Sequence, residues 1–124
     1  HETPRLFNLY PQGNFIESSL DTPYFQIGES KYGKPILDRA LHHATPLEQA
    51  LRCALISFDS TIRSNLSVGM PLDVLVYRRD SLAVPQGFRI HDGDPYFERI
   101  RAQWGGGLRQ LLGELPDVPG QYWD

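Results

Sequence analysis

The chain has 124 residues, 40% hydrophobic and 22% charged, the mix of one ordinary globular domain and not of a disordered tract or a multidomain array. Its formal net charge is -3, and its twelve Lys and Arg are spread along the sequence. That distribution builds no strongly basic face, so we expect neither a nucleic-acid partner nor an anionic membrane partner.

Leu6 to Tyr10 is short, apolar and aromatic, and Pro11-Gln12-Gly13-Asn14 supplies turn chemistry before Phe15-Ile16 resumes an extended run. This pattern predicts a hairpin. Tyr24-Phe25-Gln26-Ile27 reads as a third strand, ended by Gly28. Ile36, Leu37, Ala40 and Leu41 then repeat with helical spacing after Ser30, and Pro35 is tolerable only in a first turn. In Thr45-Pro46-Leu47-Glu48 we read a capping hydroxyl, a proline at the first helical position and a Glu three residues after the cap.

The helix that follows carries Leu47, Leu51, Ala54, Leu55, Phe58 and Ile62 on one face, with Arg52, Asp59 and Arg63 roughly opposite. Ile56 breaks the pattern, about 180° from Leu47 at 100° per residue. Two readings stand open: a single exposed apolar residue, or a helix that packs on both sides, the second against a neighbouring subunit.

Leu72-Asp73-Val74-Leu75-Val76-Tyr77 resembles a strand covered on both faces, and Phe88-Arg89-Ile90-His91 is a weaker strand. Asp94-Pro95 opens a last helix with Phe97, Ile100, Trp104, Leu108, Leu111, Leu112 and Leu115 in phase. Gly105, Gly106 and Gly107 interrupt it, each costing roughly 0.8–1 kcal/mol relative to Ala; we expect a continuous but soft helix, ended by Pro116 and Pro119. The order predicts an α+β fold with antiparallel strands and a segregated helix pair.

Few residues announce chemistry. There is no G-x-S-x-G elbow, no H-E-x-x-H and no phosphate loop. Gly28-Glu29-Ser30-Lys31-Tyr32-Gly33 lacks phosphate-loop spacing and reads as a strand-to-helix turn with Ser30 near the cap. His42 and His43 point about 100° apart on a helix and do not chelate one ion from a single face. Cys53 reads as a small buried side chain. As the sole cysteine it excludes an internal disulfide and a cysteine-rich zinc site, and it suits a reducing, cytoplasmic setting. No cofactor and no metal are expected. No apolar run approaches the ~20 residues that span a bilayer, and no signal-peptide layout appears. The remaining candidate is Ser64-Asn65-Leu66-Ser67-Val68-Gly69-Met70-Pro71, whose hydroxyls, just past a helix, ordinarily satisfy exposed carbonyls.

Asp59 to Gly69, followed by Pro71 to Tyr77, resembles the C-terminal half of the Anbu family, bacterial proteasome homologues of the N-terminal-nucleophile hydrolase superfamily. Tyr10 to Ile16 and Thr22 to Arg39 match the same pattern, and the resemblance runs from about Pro4 to Pro119. It implies half of a four-layer αββα sandwich, with residues 1–124 forming one partial domain of something longer. It also implies a threonine hydrolase that cleaves peptide or amide bonds, using an N-terminal Thr hydroxyl as nucleophile and its own α-amine as base.

That Thr would lie upstream of His1, so this chain alone is expected to be inactive. Supporting roles carry over to Ser67 and Ser64, the latter standing where the family's pattern has an acid, and to Glu29 or Ser30 after Gly28. The resemblance further implies oligomers contacting through the helix pair at positions 30–64, which gives Ile56 a partner. The alternative is a non-catalytic assembly or peptide-binding module. Strands such as Leu72 to Tyr77 need two covered faces, so the chain in isolation is expected to self-associate.

Overall fold

The computed structural model describes residues 4–28 and 31–123. In chain order these form β1 (Phe7–Leu9), β2 (Phe15–Glu17), α1 (Lys34–Ala40), α2 (Leu47–Ser64), β3 (Leu72–Val74), β4 (Phe88–Ile90), α3 (Pro95–Glu114) and a short 3-10 turn (Gly120–Tyr122). The fold is α+β: three α-helices and two separate two-stranded antiparallel sheets among the described residues.

The first hairpin forms as expected. Gly13 takes a φ of +87°, which a side-chain-bearing residue adopts only with strain, and the turn closes through Gly13 N–H to Tyr10 O and Tyr10 N–H to Asn14 O, each 2.9 Å. Leu9 then faces Phe15 in register, and the Phe7 and Phe15 rings meet edge-on at 5.5 Å.

The expected third strand does not form. Tyr24–Ile27 joins no ladder, and Tyr24, Phe25 and Gln26 lie half-buried along Leu37, Ala54 and Phe58 of the helices. Aromatic and β-branched residues suit a half-buried surface; here helices supply that surface and no neighbouring strand pairs with the segment.

Helix α1 begins after Gly33 with Pro35 in its first turn. Ser30, expected near this cap, lies outside the described residues. Glycine at 33 lets α1 approach α2 closely. A Cβ there would stand 2.2 Å from Ser57 Oγ and 3.0 Å from Ser57 O.

Helix α2 lacks the expected capping box. Its N-cap is Pro46, with no side-chain cap bond, and the Thr45 hydroxyl instead accepts from His42 N–H at 2.8 Å. The tight loop between α1 and α2 has taken that acceptor. Glu48 pairs with Arg52 one turn on, at 3.0 Å.

The core joins Leu55 of α2 to Leu72, Ile90 and Phe97, with Leu51, Ile62 and Ile100 packed against it. Register places Leu72 opposite Ile90, so the β3–β4 hairpin offers one apolar pair to the helices. β3 stops at Val74, short of the expected Tyr77, because β4 is only three residues long. Leu75 and Tyr77 are exposed, so the double cover expected for this strand is not provided by the described residues. α3 is continuous across its glycines. Asp94 accepts from Phe97 N–H at 3.0 Å and caps it. Beyond Pro119 the expected irregular tail contains one 3-10 turn.

Helix α2 does pack on both sides, and its own chain supplies both. Ile56 is 8% exposed and faces Ile36 of α1 and Ile100 and Trp104 of α3. Asp59, expected on a solvated face, is 2% exposed. Its Oδ1 accepts from Arg101 Nε of α3 at 2.7 Å and from Arg63 Nε at 3.3 Å. Burial of a carboxylate is tolerable only with such partners.

Asp59→Ala removes the buried partner of Arg101, leaving it only its bond to Glu98 at 3.0 Å, and opens a gap between α2 and α3, so it is expected to lower the unfolding free energy by about 2 kcal/mol. Asp73→Ala removes only the exposed pair with Arg89 and should leave the urea midpoint nearly unchanged. Equal effects of the two substitutions would show that the α2–α3 pair contributes no more than a surface bridge.

Candidate functional site

The candidate site lies at the C-terminal end of α2. Ser64 is the last helical residue and is exposed. Asn65 leaves the helix with φ -139° and ψ 110°, while its N–H still donates to Thr61 O at 2.8 Å. Its side-chain oxygen then organises the loop: Asn65 Oδ1 accepts from Ser67 N–H at 3.0 Å and from Ser67 O–H at 2.7 Å. Such Asx turns form because a short amide side chain reaches the backbone two residues on.

Two consequences follow for Ser67. Its hydroxyl proton is donated to Asn65, and the residue is exposed, so its oxygen retains the capacity to accept a hydrogen bond. Ser64 and Ser67 therefore share one end of α2, but no hydrogen bond joins them among the described residues.

Glu29 and Ser30 lie outside the described residues. Gly28, just before them, has φ +77°, a left-handed turn that suits glycine. Ile27 and Val68 line one cavity of about 390 Å³ with Ser57, Phe58 and Thr61 of α2 between them. The segment leading to Glu29 and the segment following Ser67 thus flank the same cavity. Gln26 Oε1 is buried there without a hydrogen-bond partner among the described residues.

Two features escaped the sequence reading. Asn65 holds Ser67, and the Asn-x-Ser spacing was its signal. Tyr24, Asp38 and Lys34 form a polar cluster: Tyr24 O–H donates to Asp38 Oδ1, and Lys34 Nζ donates to Asp38 Oδ2 at 2.8 Å. The Lys34/Asp38 spacing of four was legible; the arrival of Tyr24 was not. Burial first, and then the Asp38 carboxylate, push the Tyr24 phenol up to about 12. Hydrogen bonds from Lys34, and next from Tyr24, hold Asp38 below its ordinary 3.8. Cys53 sits half-buried, its thiol 3.9 Å from Ile36 O and pushed up by burial, which disfavours the thiolate.

Among the described residues no group of three or more His, Cys, Asp or Glu side chains could hold a metal ion, and no helix is long and apolar enough to cross a membrane.

Comparison with known proteins gives this geometry a family. No protein-family model matches the chain, and no curated protein sequence matches it. Solved structures do. The chain is similar to the Anbu protein of Pseudomonas aeruginosa, solved as a helical assembly, at 66% identity and a TM-score of 0.90 over 96% of this chain and 49% of that one. It is 62% identical, with a TM-score of 0.87, to Anbu (ancestral beta-subunit) from Yersinia bercovieri, over 93% of this chain and 48% of that one. A Gly-1 mutant of Anbu from Hyphomicrobium sp. strain MC1 matches at 51% identity and a TM-score of 0.88, over 94% and 50%.

The fold is therefore that of a proteasome-related class of proteins. The chain belongs to the Anbu family, and it spans about half the length of the members it matches.

Ionised Asp38 stabilises the folded state above its unfolded value near pH 4, and that contribution is lost as the pH falls through the depressed folded value. Lys34→Met removes the larger cause, so the Asp38 midpoint, followed by carboxyl NMR titration, should rise toward 3.8. Tyr24→Phe should move it in the same direction by less. An unmoved midpoint in Lys34→Met would show that the lysine does not set it.

Proposed function

We propose that this chain is the C-terminal half of a proteasome-type threonine hydrolase subunit, one partial domain that works in the cytoplasm on peptide or amide bonds. The observation that carries this reading is the 66% identity and TM-score of 0.90 to an Anbu protein over 96% of the chain. In this reading α1, α2 and α3 form an outer helical layer of a four-layer αββα sandwich.

The nucleophile is an N-terminal Thr on the portion of the subunit outside these 124 residues. Its hydroxyl oxygen attacks the amide carbonyl while its own α-amine takes the hydroxyl proton, and an α-amino group titrating near ~7.7–8.0 is suited to that task at neutral pH. Ser67 acts on that amine. With its own proton held by Asn65, its oxygen accepts from the ammonium and orients it. Ser64 completes the support as a neutral hydroxyl in the place of an acid, and Glu29 and Ser30 are assigned further supporting roles. Self-assembly belongs to the same reading, with the exposed surface of the helix pair α1–α2 as a contact element and Ile56 buried beneath it within the chain. The similar P. aeruginosa protein was solved as a helical assembly.

One observation favours the second reading, a non-catalytic assembly or peptide-binding module: no carboxylate stands at position 64, so the support offered to an ammonium from α2 is uncharged.

The discriminating experiment uses the full-length protein. Mass spectrometry of its mature N-terminus is expected to find Thr. Ser67→Ala should then lower kcat on a fluorogenic amide panel by about tenfold or more, the effect of one lost hydrogen bond to a charged group, with KM little changed. Any other N-terminal residue, or unaltered turnover in Ser67→Ala, would favour the non-catalytic reading.

A further inference from the structure

The loop from Ser64 to Pro71 contains no charged residue. The charges that flank it are each held by a partner: Arg63 Nε donates to Asp59 at 3.3 Å, and Asp73 accepts from Arg89 Nε at 2.7 Å. Across the cavity beside Val68, Tyr24 is the titratable side chain among the described residues, and its O–H is donated to Asp38. What this loop offers a neighbouring amine is therefore set by the direction of its hydroxyls.

Asn65 fixes that direction at Ser67. A backbone N–H only donates, so the side-chain atom that meets Ser67 N–H at 3.0 Å is the amide oxygen of Asn65. A carbonyl oxygen only accepts, so the Ser67 hydroxyl, 2.7 Å from the same atom, is the donor there. A hydroxyl has one proton. With that proton given to Asn65, Ser67 meets any further group as an acceptor.

We infer that Asn65 is a positioning residue of the proposed hydrolase: it keeps Ser67 an acceptor, so that the lone pair of the nucleophile's α-amine stays free for the Thr hydroxyl proton. The inference rests on the threonine-hydrolase reading and gives Asn65 a part in it. A neutral amine carries two N–H bonds and one lone pair. In the attacking step the Thr O–H bond breaks, its proton bonds to that lone pair, and the oxygen bonds to the carbonyl carbon.

An acceptor beside the amine engages one N–H and leaves the lone pair uncovered. A donor hydroxyl would cover the lone pair instead, competing with the proton that the step has to move. A serine alone can do either, because its hydroxyl rotates. Asn65 removes the choice, and its short side chain does so within the same turn that places Ser67. This role differs from that of an acid at position 64. A carboxylate stabilises an ammonium by its charge, whereas Asn65 acts through the Ser67 hydroxyl.

The test uses the full-length protein and four variants: Ser67→Ala, Asn65→Ala, the two together, and Asn65→Asp. Two readouts are taken. One is kcat and KM on a fluorogenic amide; the other is the pH midpoint at which a brief acetic anhydride pulse labels the N-terminal amine, located by peptide mass spectrometry. Asn65→Ala frees the Ser67 proton for the amine. Its kcat should fall by about tenfold or more with KM little changed. Its amine midpoint should drop below that of Ser67→Ala by about 0.5 pH unit, since donation to a lone pair favours the neutral form.

The doubly substituted protein should match Ser67→Ala in both readouts, because without a hydroxyl at 67 Asn65 has nothing to direct. Asn65→Asp keeps an acceptor at the same reach and adds a charge. It should retain most of the parent's kcat above its midpoint and raise that midpoint. Losses that add in the doubly substituted protein, or an Asn65→Ala midpoint at or above that of Ser67→Ala, would mean that Asn65 only folds the turn. Either result overturns the inference and leaves the hydrolase reading standing. A parent without amide hydrolysis, whose midpoint Ser67→Ala leaves unmoved, overturns that reading and the inference with it.

Discussion

The Asp59 carboxylate, 2% exposed and held by Arg101 Nε at 2.7 Å, joins the middle of α2 to the first half of α3. Around it α2 has three different neighbours. Leu55 faces the β3–β4 pair and Phe97, Ser57 faces Gly33 at the start of α1, and Ile56 faces the space between α1 and α3. Apolar contacts alone are non-directional and would let α3 slide or rotate on this surface. A buried ion pair contributes little net stability compared with a well-packed apolar substitute, but its hydrogen-bond geometry is satisfied in only one arrangement. The pair thus fixes the direction in which α3 leaves the core, and the groove beside Ile56 exists because α3 is fastened near Arg101 and runs on beyond α2's cover.

The same economy of contacts positions the candidate site. The missing side chain at Gly33 brings α1 against Ser57 and Thr61, and Tyr24 is tied to α1 through Asp38 and Lys34. Those two links hold Tyr24–Ile27 across α2 from the Asn65–Ser67 turn. Ser67 owes its orientation to a bond two residues long, and Ile27 and Val68 meet at one cavity only because α1 and α2 are closely packed. A change at Gly33 therefore reaches the cavity without touching any residue that lines the Ser67 loop.

Local signals in the sequence were reliable where one element determines its own shape. The hairpin at Gly13, the proline-initiated helices and the phase of α3 through Gly105–Gly107 all follow from turn chemistry and period. Signals failed where a partner decides. Asp59 has the spacing of a solvated charge, and nothing in a helical period shows that another helix will cover it. Thr45 has the pattern of a cap, but the loop back to His42 offered its hydroxyl a competing donor. The Leu72–Tyr77 run has strand chemistry for six residues, yet β4 pairs with three of them. At the candidate site, Ser64 and Ser67 were legible only through kinship, since hydroxyls after a helix have an ordinary explanation, whereas Asn65 could have been read from its spacing alone.

These failures share a cause. Burying apolar surface stabilises an element only if another element lies within reach to cover it, and a chain of this length offers few. Leu9, Phe15, Ile27 and Leu75 are 74%, 61%, 84% and 67% exposed, all on or beside segments with strand chemistry. The helices, by contrast, find cover in one another, in the β3–β4 pair and through Asp59. Helical contacts here are local in sequence, while strands need neighbours that can come from anywhere in a fold. The three helices are therefore packed on one another while several strand-forming residues face outward. Among the described residues each of the two sheets has only two strands, so most residues with strand chemistry have no neighbour to pair with.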